Sequence, residues 1–201
     1  MRVLDGVGRG AAGIGVGLAV LMLGCGVAGA DTVVPLPAGE QALTTATGIP
    51  VDLTRTGETA IISPSLAANG MSRTAQLSGT AYATVPGATG GTLETGYLVG
   101  CQVDLSGGLS LGGDVYLSPE SMSPELNPSI KLVPGGVAVV KFGSKTIDPA
   151  AGAVGIAYRN RGIQLSGCGG FAEARAYSAL TVTNDKGSAE VTLYGDPFSV
   201  G

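Results

Sequence analysis

An all-β chain, with a β-sandwich body and one long β-hairpin arm, follows from three features of the sequence. The first is the stretch Thr92–Leu117, TLETGYLVGCQVDLSGGLSLGGDVYL, which alternates without a break. Its odd positions include Leu93, Tyr97, Val99, Cys101, Val103, Leu105, Leu109, Leu111, Val115 and Leu117, and its even positions include Glu94, Gln102, Asp104, Ser106, Ser110 and Asp114. A period of two is the signature of a strand, whose successive side chains point to opposite faces. The second is composition: 35 Gly and 11 Pro, with 13% charged residues and neither His nor Trp, is turn-rich. The third is a series of shorter alternating segments between glycine turns, the pattern of a sandwich.

Residues 1–30 read as a separate unit. Arg2 and Arg9 make a basic start, Ala11–Leu23 is apolar, and Ala28-Gly29-Ala30 fits an A-x-A cleavage site, so a secretory signal peptide is expected. The apolar run is shorter than the ~20 residues of a spanning helix, which favours removal over anchoring. Lipidation at Cys25, in LMLGCG, is the alternative, with Met22 a weak match three residues upstream. The expected mature domain is then residues 31–201. Losing Arg2, Arg9 and Asp5 takes the 11 basic and 15 acidic residues to 9 and 14, a formal charge of −5. No basic patch remains, which argues against nucleic acid as a partner.

Asp31–Val51 is rich in Pro, Thr, Ala and Gly and predicts an extended, partly mobile leading segment, closed by a short strand at Gly48–Arg55. Glu58–Ala68, with Pro64 and small apolar residues, predicts irregular backbone or a short strand. Ser72–Val85 alternates Ala75, Leu77, Ala81, Ala83 and Val85 against Thr and Ser, and the PGATGG turn at Pro86–Gly91 predicts that it pairs with the long strand as a hairpin. At roughly 3.3 Å per residue the stretch Thr92–Leu117 would reach about 80 Å, so it either bends at its glycines or leaves the body as an arm. Beyond Leu117, Pro119, Pro124 and Pro128 permit neither helix nor ladder, and this is read as the tip. Ser129–Phe142 predicts a return strand with a bend at Pro134-Gly135-Gly136, giving an arm over about residues 105–140. Two strands near Val154–Asn160 and Ile163–Ser166, one over Ala172–Thr183, a hairpin turn at Asn184–Gly187 and a strand at Ser188–Tyr194 complete the body.

Catalysis has little to work with. Without His the usual nucleophile–base constellations cannot form, and no phosphate loop, nucleophile elbow or metal-ligand spacing is present, so no enzyme activity, cofactor or metal is expected. Cys101 and Cys168, an even pair in an exported chain, predict a disulfide.

The arm is more informative. Its outgoing limb, Leu105–Leu117, exceeds the ~9 to 11 residues that a tilted membrane strand needs. A lone two-stranded hairpin leaves its edges unpaired, but several copies side by side close into a transmembrane β-barrel with apolar faces outward. Ser110, Asp114 and Tyr116 on the polar face, Glu120 and Glu125 in the tip and Lys131 on the return strand are then the candidate pore-lining or constriction residues. The plainer reading is that these groups are simply solvated on an exposed hairpin.

Three segments resemble the MspA-type porins of mycobacterial and related outer membranes. GGTLETGYLVG at Gly90–Gly100 is similar to the family's Gly-Thr-Leu-Glu-x-Gly-Tyr strand, LNPSIKLVPGGVAVVKFG to its return strand, and the terminal YGDPFSVG to its Tyr-Gly-Glu/Asp-Pro ending. The resemblance implies a goblet-shaped homo-octamer in the outer membrane. Each subunit would give a β-sandwich rim and one hairpin to a shared stem that passes small hydrophilic solutes and ions. The acidic tip run of the best-known members is shorter here, which leaves Glu120 and Glu125 as candidates by position. Asp114, Glu120 and Glu125 against Lys131 give each subunit's lumen a net −2, roughly −16 for about eight copies, and acidic rings favour cations. The alternative function is a secreted or cell-surface β-sandwich binding protein that uses the arm for strand addition, without pore activity.

Overall fold

The computed structural model describes residues 31–64, 72–104, 129–130 and 136–201. These residues form two facing sheets and no helix. In chain order the strands are β1 (Thr32–Pro35), β2 (Gly39–Thr44), β3 (Pro50–Pro64), β4 (Arg73–Thr84), β5 (Gly90–Asp104), β6 (Ser129–Ile130), β7 (Val137–Thr146), β8 (Ala153–Leu165), β9 (Cys168–Asn184) and β10 (Gly187–Ser199). The first sheet has the order β1-β3-β4-β8-β6 with β2 also on β3, and the second has the order β10-β9-β5-β7. Every pairing is antiparallel except the short one between β6 and β8.

Alternation builds the core. Leu53, Ala75, Leu77, Ala81 and Ala83 point inward from the first sheet against Leu93, Tyr97, Val99, Ala174, Ala176, Leu180 and Val182 from the second. The odd positions from Leu93 to Cys101, read from the period of two, thus lie in the middle of the sandwich, whereas Val103, beyond a register shift, is exposed. The buried residues fall into two clusters along the strands. Leu53 of β3 belongs to one and Ala60 to the other, with Arg55 and Glu58 between them.

Several expectations change. β4 and β5 do not form a hairpin: β4 lies between β3 and β8, while β5 lies between β9 and β7. Each strand has one apolar face, and crossing from one sheet to the other turns those faces toward each other, whereas a hairpin would set them side by side. The crossing at residues 85–89 is held by Val85 N–H to the Gly152 carbonyl (2.8 Å) and Thr89 N–H to the Thr183 carbonyl (2.8 Å). The leading segment is extended but not loose. β1 and β2 follow one another along a single edge of β3, and Leu36 N–H donates to the Glu58 carbonyl at 3.0 Å between them. Pro35 closes β1 and Pro37 follows it on this outer edge, where a missing donor is tolerated.

β3 is one strand of 15 residues in place of a short strand and an irregular segment. The sequence signal was blurred by a bulge: Gly57 sits at φ +63° and the pairing with β4 shifts between Thr56 and Thr59. β8 is likewise continuous through Asn160, at φ +50°, where its register with β4 shifts. β10 runs past Tyr194, through another shift, to Ser199. The turn expected at Asn184–Gly187 is a hairpin turn between β9 and β10, with Asn184 paired to Gly187.

Candidate functional site: the root of the arm

Most of the expected arm, and all six pore-lining candidates Ser110, Asp114, Tyr116, Glu120, Glu125 and Lys131, lie outside the described residues. What is described is the end of β5, the start of β7 and the two-residue strand β6 between them in sequence. β5 is paired with β9 to its last residue, Val103 opposite Gly169 and Asp104 opposite Cys168. β7 starts one strand away on the other side of β5, with Val137 opposite Gly100 and Val140 opposite Tyr97. Val137–Val140, assigned by sequence to the end of the arm, therefore pair within the body. Ser129 and Ile130 run parallel to Gln164 and Leu165 along the edge of β8 that faces away from β4, so the return strand expected over Ser129–Phe142 is not one strand: its first two residues lie on the first sheet and Val137–Phe142 on the second.

The root is covalently fastened. Cys101 and Cys168 form the disulfide that the even cysteine pair predicted, with Cα atoms 5.9 Å apart and a sequence separation of 67. Both are buried, and the loop they close holds residues 105–136, β7 and β8. Beside them Arg73 of β4 donates from Nε to the Gly201 carbonyl (2.9 Å) and from Nη2 to the Gly170 carbonyl (3.4 Å), which ties the two sheets together at this end.

Sequence reasoning missed a buried polar network further up the sandwich. Arg55 and Glu58 form an ion pair with side chains almost fully buried. Residues three apart in a regular strand face opposite ways; the bulge at Gly57 puts both inside, so the Arg-Thr-Gly-Glu run was the available signal. Glu58 Oε1 also accepts from the hydroxyls of Tyr97 (3.0 Å) and Tyr158 (3.1 Å). Phe142 packs against both rings, at 5.3 and 5.2 Å between centroids. Burial, followed by the charge on Glu58, pushes the Tyr158 hydroxyl up to about 12, and burial with the neighbouring Tyr158 drives that of Tyr97 higher still. Gly79 faces this cluster because a Cβ there would stand 2.8 Å from the Tyr158 hydroxyl. The network lies between the two sheets and joins the two halves of the sandwich, and its Tyr158 also borders the cleft on the outer face of the first sheet.

On the outer face of the first sheet the bulges of β3 and β8 leave a shallow cleft of about 540 Å³ between Thr59, Ser78, Thr80, Arg159 and Asn160. The described residues include no cluster of His, Cys, Asp or Glu able to hold a metal ion. No helix among them is long and apolar enough to cross a membrane, which says nothing of strands.

The described residues define a two-sheet β-sandwich protein with a disulfide at the end of β5. Residues 47–199 match the family described as MspA, a span running from just before β3 to the end of β10, and the chain belongs to that family. No curated protein matches the chain. The family's members are porins, so membership points to porin-type channel function.

Proposed function

We propose that this protein is an outer-membrane porin: an exported chain that assembles with copies of itself, about eight in number, into a channel for passive diffusion of small hydrophilic solutes and ions. The observation that carries the reading is the root geometry within an MspA-family chain. The outgoing strand β5 and the incoming strand β7 are antiparallel neighbours, Gly100 opposite Val137. With Ser129–Ile130 released from the edge of β8, strands paired at their root can continue outward as one hairpin, and hairpins from several subunits can close a barrel without free edges. Residues 1–30 act as the secretory signal peptide and residues 31–201 as the porin domain.

Asp114, Glu120 and Glu125, offset by Lys131, face the lumen and make the pore prefer cations. Purified mature protein added to a planar bilayer should give stepwise conductance with a cation-biased reversal potential. Converting both Glu120 and Glu125 to Gln should weaken that bias. Silence of detergent-stable oligomers would overturn the channel reading, and an anion bias would overturn the acidic ring. A native mass corresponding to a lone soluble protomer would instead favour a surface binding protein.

A further inference from the structure

Two bulges meet at one level of the first sheet. The register of β3 with β4 shifts between Thr56, opposite Thr80, and Thr59, opposite Ser78. That of β8 with β4 shifts between Tyr158, opposite Gly79, and Arg161, opposite Leu77. Each shift adds a residue to the strand flanking β4, and both fall on the stretch Leu77–Thr80 of β4. In β3 the addition buries Glu58 and leaves Gly57, without a side chain, at the surface; in β8 it leaves the consecutive residues Arg159 and Asn160 both exposed. The result is the cleft of about 540 Å³, a size within the ~300–1,000 Å³ of small-molecule sites.

The groups around it are donors without partners. Arg159 forms no ion pair or hydrogen bond among the described residues, and neither do the hydroxyls of Thr59 and Thr80. Every other arginine among the described residues is engaged: Arg55 with Glu58, Arg73 with the Gly201 carbonyl, Arg161 over the Phe142 ring and Arg175 with the Gly195 carbonyl. Asn160 is held at φ +50° by the Ser78 hydroxyl, which accepts from its backbone N–H at 2.9 Å and donates to its Oδ1 at 3.2 Å. With Oδ1 occupied, the carboxamide keeps its two Nδ2 hydrogens for a ligand. No carboxylate lines the cleft, in a chain with 15 acidic residues against 11 basic ones. A guanidinium with neutral donors beside it and no competing carboxylate is a donor set for an oxyanion, and its planar fork fits two oxygens of a phosphate. At ~30 Å³ per water molecule the cleft holds more than a phosphate group, and the threonine hydroxyls, which donate and accept, suit the hydroxyls of a polyol attached to it.

We propose that this cleft binds a phosphate ester of a sugar or polyol, either free or as the headgroup of a lipid. Arg159 takes the phosphate, Asn160 adds a donor from Nδ2, and Thr59 and Thr80 hydrogen-bond the polyol. Tyr158 lines the cleft but is not a ligand, because its hydroxyl is committed to Glu58 at 3.1 Å. The site belongs to the sandwich body and does not depend on the channel reading.

The full mature protein is titrated calorimetrically with glucosyl phosphate and, separately, with glucose and with inorganic phosphate. Saturable binding of glucosyl phosphate, tighter than that of either component, is the expected result. Arg159→Gln should weaken it about tenfold, the effect of losing hydrogen bonds to a charged group. Asn160→Gly, which adopts a positive φ without strain, should weaken it about threefold. Lys145→Gln removes an exposed cation from β7 of the second sheet and should leave the affinity unchanged. Dihexanoyl phosphatidylglycerol, with dihexanoyl phosphatidylcholine as its control, separates the two sources. Tighter binding of the phosphatidylglycerol than of glucosyl phosphate, lost in Arg159→Gln, assigns a lipid headgroup, and the reverse order assigns a free ester. Absence of saturable heat with both ligands up to millimolar concentration would overturn the site. An affinity unchanged by Arg159→Gln, or matched by glucose alone, would overturn it as a phosphate site. An equal loss in Lys145→Gln would overturn it in favour of a general attraction of anions.

Discussion

Replacing Glu58 with Leu removes the single acceptor on which Arg55, Tyr97 and Tyr158 converge. Arg55 cannot shed its proton to escape burial, and its Nη1 already has no hydrogen-bond partner among the described residues. An unpaired buried charge of this kind costs about 3 to 5 kcal/mol. Arg55→Met should cost less, about 2 kcal/mol, because the two hydroxyls still donate to Glu58. In the double variant, Arg55→Met with Glu58→Leu, no buried charge remains. The Tyr97 and Tyr158 hydroxyls, 3.1 Å apart, can then bond to each other, so its cost should fall well below that of Glu58→Leu alone. Equilibrium unfolding in denaturant, followed by circular dichroism at fixed protomer concentration, measures all three against the parent. If Glu58→Leu costs under about 1 kcal/mol, or if the double variant costs as much as the sum of the singles, the network does not bear the charge balance assigned to it.

Two further outcomes follow from the body. Tyr158 keeps its proton in the fold up to about 12, above the ordinary value of 10.0, so its contribution is complete below pH 10 and is lost as pH rises through 12. A two-unit displacement corresponds to about 3 kcal/mol, and Tyr158→Phe should flatten this alkaline loss in denaturation measured from pH 9 to 12. Reducing Cys101–Cys168, or converting both to Ala, releases a loop of 67 residues and should lower stability by about 4 kcal/mol. An unfolding midpoint unchanged by reductant would show that the root does not depend on the bond.

The strands that pack with a clean period of two were legible. Ser72–Val85 and Ala172–Thr183 carry apolar residues at most second positions; the first stands as β4 with little change of bounds, and the second as β9, which begins four residues earlier at Cys168. Where a bulge interrupts the period, reading failed: Gly57 divided β3 into two apparent segments and Asn160 divided β8. The disulfide was legible from the even cysteine count and the expectation of export. The Arg55–Glu58 pair was not, because its spacing places the two side chains on opposite faces unless the bulge is known.

By itself the sequence determined the class of the fold and the family, since each depends on local alternation, turn chemistry or short motifs. Which strands are neighbours was decided only by the tertiary structure. An alternating strand states which face is buried but not what buries it. β4 and β5, adjacent in sequence and similar in pattern, are driven onto opposite sheets because that alone turns both apolar faces to one core. The exposed group at Val103, Val137, Val139 and Phe171 was hidden for the same reason. Its members lie far apart in the chain, and their common place at the root arises from the pairing of β5 with β7 on one side and β9 on the other.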